Sequence, residues 1–133
     1  MKGIGTPRGI LIVDDDPAIT ETLSAIFEKH GYEARVANSA ETAIEIIARW
    51  EPDVAILDVM LPCMNGIDLA LVLRANHPAC RPVLFSGHYG TQALMEEAAK
   101  NGNLFEILTK PVHPLFLLDY VSSLFADTPK IVA

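Results

Sequence analysis

Short apolar runs alternate with longer stretches of helical periodicity along the whole chain. The runs are Gly9–Val13 (GILIV), Tyr32–Ala37 (YEARVA), Asp53–Leu57 (DVAIL), Pro82–Phe85 (PVLF) and Leu104–Leu108 (LFEIL). The first, third and fourth are almost wholly apolar, as expected for strands covered on both faces. Glu33 and Arg35 interrupt the second, which places it at a sheet edge.

Between the runs lie amphipathic segments. Pro17–His30 carries Ile19, Leu23, Ile26 and Phe27 on one stripe, and His30-Gly31 predicts its stop. Ser39–Trp50 opens on Ser39-Ala40-Glu41-Thr42, a capping-box pattern with its acid one place early, and aligns Ala40, Ala43, Ile44 and Ile47. Gly66–Asn76, Thr91–Asn101 and His113–Phe125 supply three more helices, with Gly102 closing the second of these. This alternation predicts an α/β fold: a doubly wound (βα)5 five-stranded parallel sheet with helices on both faces, flavodoxin-like. Periodicity leaves the strand order open. A single domain is expected over residues 1–133, with its core at about 9–126 and loose ends at 1–8 and 127–133.

Composition narrows the function. Half of the 133 residues are hydrophobic, and mean hydropathy is +0.28, enough apolar material for a packed core. Seventeen acidic against ten basic residues give a net charge of −7. Phosphate backbones and anionic lipid both select for cations, so direct DNA binding and membrane-surface binding are disfavoured. No run approaches the roughly 18 apolar residues of a membrane span, and the N-terminus lacks a secretory h-region. Two cysteines, Cys63 and Cys80, form neither a disulfide framework nor a zinc site. The expectation is a cytoplasmic domain.

In sheets of this kind ligands bind at the carboxyl ends of the strands. Here the first strand ends in Asp14-Asp15-Asp16, the third in Asp58, the fourth in Ser86 and the fifth in Thr109-Lys110-Pro111, while the second offers only Asn38 and Ser39. Clustered carboxylates repel unless a hard cation joins them, and few oxygen ligands with retained waters suit Mg²⁺. A cation beside an ammonium and a hydroxyl is fitted to a phosphoryl group, which a remaining carboxylate can attack in line. The plainer explanation, a helix N-cap cluster before Pro17, accounts for one aspartate but not for three together with Asp58 and Lys110.

These residues resemble the response-regulator receiver domains of two-component signalling, in the stand-alone, chemotaxis-regulator-like form. The matching segments are Ile10–Pro17 (ILIVDDDP), Val54–Gly66 (VAILDVMLPCMNG), Val83–Gly87 (VLFSG) and Leu108–Val112 (LTKPV). The resemblance covers roughly residues 9–126. It implies that Asp58 accepts a phosphoryl group from a phosphohistidine on a sensor histidine kinase or histidine phosphotransfer protein, and so switches binding of a downstream protein. It implies Mg²⁺ held by Asp14, Asp15, Asp58 and the Met60 backbone carbonyl, with Asp16 at a variable position. Ser86 corresponds to the switch hydroxyl, Lys110 to the lysine that pairs with the phosphoryl group, and Lys110-Pro111 looks like the family's cis peptide. The chain would thus be a switch that assists its own phosphorylation and dephosphorylation, not an enzyme acting on outside substrates.

Some positions depart from that pattern. Ile107 stands where receivers usually carry an aromatic switch residue, so the chain departs from the familiar ring movement at this position. Phe105, on the same strand face, is read as core. His88 sits where relatives tune loss of the phosphoryl group. His30, His77 and His113 are too scattered to ligate a metal. Cys63 is expected to be inert and Trp50 to pack at a helix end. Phe116 and Tyr120 lie off the core stripe of the charge-poor last helix, as either a covered flank or a partner face, and a dimer through that helix would use them. The alternative from another class is an aspartate-nucleophile phosphohydrolase of haloacid-dehalogenase type, built on Asp14-x-Asp16. Its metal acids follow its lysine along the chain, whereas here Asp58 precedes both Ser86 and Lys110.

Overall fold

The apolar runs pair into one parallel sheet in a computed structural model, which describes residues 7–87, 96, 99–100, 102, 105–110 and 112–126. In chain order the elements are β1 (Gly9–Val13), α1 (Pro17–Lys29), β2 (Glu33–Ala37), α2 (Ala40–Ile47), β3 (Val54–Asp58), α3 (Gly66–Asn76), β4 (Arg81–Ser86), β5 (Glu106–Thr109) and α4 (Pro114–Ala126). The strands lie in the order β2-β1-β3-β4-β5, with every neighbouring pair parallel. β2 is therefore an edge strand, as its interrupted pattern predicts. The helix expected over Thr91–Asn101 lies largely outside the described residues.

The two-residue period of the strands divides the core. Ile10, Ile12, Val54, Ile56, Val83 and Phe85 face one side, against Leu23 and Phe27 of α1 and Leu117, Val121 and Leu124 of α4. Leu11, Val13, Ala55, Leu57 and Leu84 face the other, against Ala40, Ala43 and Ile47 of α2 and Leu69, Ala70 and Leu73 of α3. Each fully buried Leu, Ile or Phe contributes about 1.5–3 kcal/mol, so the central strands β1 and β3 form the most firmly held part of the sheet.

Most elements start or end within a residue of the sequence expectation, and the larger or more consequential differences fall at α2, β3 and β5. α2 stops at Ile47 rather than Trp50, with Ala48 as its C-cap still in helical backbone conformation. Trp50 still packs against the core, with the Arg35 guanidinium 4.4 Å from its ring. β3 begins one residue later than expected and takes in Asp58, which pairs with Phe85. β5 begins at Glu106, not Leu104, and its pairing with β4 runs from Val83↔Glu106 to Ser86↔Thr109. Phe105 precedes the strand and has its predicted core role, half-buried beneath the Arg74 guanidinium at 4.0 Å.

Candidate functional site

After β1 the chain winds to one side of the sheet, to β2, and then crosses to the other side, to β3. The crevice between the ends of β1 and β3 is thus the topological switch point, where ligands bind in such folds. Asp14 follows β1 and Asp58 ends β3, and both are buried. Lys110 follows β5, and its backbone N–H donates to the Ser86 carbonyl at 2.8 Å. From there the side chain reaches back across the sheet. Its Nζ lies 2.8 Å from Asp14 Oδ2 and 3.3 Å from Asp58 Oδ2. Ser86 ends β4 one step beyond the level of Asp58, half-buried at the same edge.

Two glycines make this geometry feasible. A Cβ on Gly66 would stand 2.2 Å from the Asp58 carbonyl oxygen, because the loop after β3 folds back and Gly66 N–H donates to the Val59 carbonyl at 2.8 Å. A Cβ on Gly87 would lie 3.0 Å from Lys110 Cβ, so its absence leaves room for the lysine stem. The Gly87 role was missed in the sequence, as was that of Thr20, a buried hydroxyl in the apolar wall of α1. A lone polar residue on an otherwise buried stripe is the signal that could have found it.

Two buried carboxylates share one ammonium, and the electrostatics follow. Burial is the main cause raising the Asp58 carboxyl above the ordinary carboxylate value, and Asp14 adds to it, while Lys110 and the Met60 amide (3.2 Å from Oδ1) pull it down. Burial alone would depress the Lys110 ammonium, but its bond to Asp14 and the charges of Asp58 and Asp14 hold it above the usual lysine value. A second cation would relieve the remaining imbalance. Asp14, Asp15 and Asp58 each offer an oxygen, all within 4.8 Å of one another. An octahedral ion with bonds of about 2.1 Å needs ligand oxygens roughly 3–4 Å apart, so the donor set fits a hard divalent cation.

The three consecutive aspartates have three different settings. Asp14 is buried against Lys110, and Asp15 is exposed at the same cluster. Asp16 is the N-cap of α1, accepting from Ala18 N–H at 3.0 Å, so the capping explanation holds for this residue alone. That placement removes Asp16 from the chemistry required by the phosphohydrolase alternative. Met60 is exposed and touches the site through its backbone amide. Ile107 is 42% exposed on β5, on the same sheet face as Leu84. His88 and the Lys110-Pro111 peptide lie outside the described residues. The imidazoles of His30, His77 and His113 bond to the backbone of Ile26, Ile47 and Leu115 respectively, consistent with structural roles.

Cys63, in the loop between Asp58 and α3, has a φ of +68°, and Met64 N–H closes a three-residue turn onto the Pro62 carbonyl at 2.8 Å. That arrangement is rare and strained for an L-residue. Cys63→Gly is therefore expected to raise stability by about 1 kcal/mol in urea unfolding, and an unchanged midpoint would show that the turn stores no strain. Cys80 is buried, its thiol pushed up to about 12 by burial first and then by Asp53 and Glu51.

Comparison with known proteins gives the family and the fold. The profile of the response regulator receiver domain matches residues 10–122. The probable transcriptional regulatory protein TcrX of Mycobacterium tuberculosis is 32% identical over 107 residues, covering 80% of this chain and 45% of that protein. The photosynthetic apparatus regulatory protein RegA of Cereibacter sphaeroides is 35% identical over 108 residues, covering 81% and 58%. The DNA-binding response regulator MtrA of Mycolicibacterium smegmatis is 42% identical over 67 residues, covering 50% and 29%. Among solved structures, a CheY-like response regulator receiver domain protein from Methanospirillum hungatei superposes with a TM-score of 0.81 at 27% identity, covering 91% of this chain and 95% of that one. A two-component response regulator from Clostridium difficile shares the fold, with a TM-score of 0.80 at 24% identity, covering 92% and 98%. The chain belongs to the response regulator receiver domain family and is a signalling switch of two-component systems. It spans between 29% and 58% of the length of the curated relatives named here.

Proposed function

We propose that residues 9–126 are the receiver unit and that Asp58 accepts a phosphoryl group from a phosphohistidine on a histidine kinase or histidine phosphotransfer protein. The observation that carries this reading is the Lys110 ammonium set between the Asp14 and Asp58 carboxylates at the ends of three different strands. Asp58 is the nucleophile: a carboxylate oxygen forms the P–O bond as the P–N bond breaks, and the electron pair returns to the partner's imidazole nitrogen. Lys110 favours the ionised carboxylate and pairs with the incoming phosphoryl oxygens. Ser86 donates its hydroxyl to the same group, and Ile107 takes the switch position on β5 without an aromatic ring. Asp14, Asp15, Asp58 and the Met60 backbone carbonyl would hold Mg²⁺, which supplies charge neutralisation at the phosphoryl oxygens.

The partner reading has its own support. An apolar groove of about 400 Å³, lined by Ile19, Leu23, Val112 and Pro114 among others, opens beside Lys110 and offers a partner helix a surface next to the phosphoacceptor. On α4, Leu115 and Phe116 are more than half exposed, and Phe116 stacks on Tyr120 at 6.5 Å. We read that charge-poor face as the surface for a downstream protein or a second copy. The chain's net charge of −7 supports a protein target rather than DNA. No helix among the described residues is long and apolar enough to cross a membrane, in keeping with a cytoplasmic role.

Incubation with acetyl phosphate and Mg²⁺ is expected to leave one acid-stable, base-labile phosphoryl group on the protein, detected by intact-mass measurement. Asp16→Asn should label as wild type does, because Asp16 serves only as a helix cap. Labelling that survives loss of Asp58 and vanishes with Asp14 would favour the phosphohydrolase reading instead.

A further inference from the structure

β1 ends at Val13, so Asp14 and Asp15 stand on a turn that the sheet ladder alone does not position. Residues from two other elements hold it. Asp14 N–H donates to the Ala37 carbonyl at 3.1 Å, and the next residue, Asn38, donates through Nδ2 to the Asp14 carbonyl at 2.9 Å. The same amide nitrogen donates to Thr20 Oγ1 at 3.2 Å. Thr20 is 1% exposed, and its hydroxyl donates to the Pro17 carbonyl at 3.2 Å. Backbone carbonyls only accept, so the direction of each bond in this chain is determined, and each donor has an acceptor. Asp14 is thereby pinned to the end of β2, and Asn38 ties that end in turn to the first turn of α1.

We infer that Asn38 and Thr20 are positioning residues for the metal pair, holding the Asp14-Asp15 turn so that both carboxylates reach a divalent cation together with Asp58. The inference rests on the metal reading above. It assigns work to the end of β2, which brings neither charge nor nucleophile to the site. Groups that orient ligands by hydrogen bonds act on affinity through geometry, because a cation shared by three carboxylates loses binding when one ligand-bearing turn can swing.

Calorimetric titration with Mg²⁺, paired with thermal unfolding of the metal-free protein, tests this. Asn38→Ala and Thr20→Val are each expected to raise the Mg²⁺ Kd roughly tenfold, while Thr20→Ser, which keeps the hydroxyl, stays within about twofold of wild type. If both Asn38→Ala and Thr20→Val bind Mg²⁺ like wild type, the inference is overturned even where Tm falls, since the role is then merely structural. A Thr20→Ser loss as large as that of Thr20→Val overturns the part assigned to the hydroxyl. Wild-type protein that binds no Mg²⁺ overturns the metal reading itself, and this inference with it.

Discussion

Asp58→Asn is expected to abolish acetyl-phosphate labelling while leaving the metal-free protein folded and more stable than wild type at neutral pH. Loss of labelling follows from loss of the nucleophile, since an amide oxygen forms no acyl phosphate. The stability gain follows from the setting of the carboxylate. Burial raises the Asp58 carboxyl above its ordinary value of 3.8, with Asp14 adding to the effect. A carboxyl that is harder to ionise in the fold than in the unfolded chain favours folding fully below the unfolded value, and that contribution is lost as pH rises through the folded value. In the presence of a chelator, wild type should therefore lose stability from about pH 4 upward over the range in which Asp58 ionises, a component absent from Asp58→Asn. Urea unfolding at several pH values measures it. A variant less stable than wild type at pH 7 would mean that the Lys110 pairing outweighs burial.

Gly66→Ala is the second large effect. The added Cβ would sit 2.2 Å from the Asp58 carbonyl oxygen and 3.0 Å from Val59 Cα, both backbone positions with no freedom to rotate away. The loop or the end of β3 must shift. Overpacking of this kind costs about 1–3 kcal/mol. Because the displaced backbone carries the phosphoacceptor, the labelling rate is expected to fall by roughly 10²-fold, the penalty of an ångström-scale misplacement of a reacting group. The two readouts separate the causes: a stability loss with an unchanged labelling rate would place the shift in the loop rather than at Asp58.

Much of this site was legible along the chain because strands in a parallel sheet end at a common edge. Asp14, Asp58, Ser86 and Lys110 each follow an apolar run, and a parallel arrangement brings those ends together whatever the strand order. Other features were not legible there. The three aspartates are chemically identical in sequence, and only burial, capping and proximity to Lys110 separate Asp14, Asp15 and Asp16. Thr20 reads as an ordinary helix position because its partners Asn38 and Asp14 come from other elements. The start of β5 was misplaced because the apolar run begins at Leu104, before the residues that pair with β4.

Apolar periodicity by itself determined the alternation of strands and helices, burial on both sheet faces, and the set of charged groups collected at one edge. Periodicity reports which face of an element leaves water, but not which element covers it. The order β2-β1-β3-β4-β5, and with it the crevice between Asp14 and Asp58, was decided by tertiary packing. So was the reach of Lys110 across two strands to both carboxylates, which requires the bare backbone of Gly87 beneath its stem. That single long-range contact turns a list of acidic residues into a site, because it places the balancing charge where the carboxylates are buried.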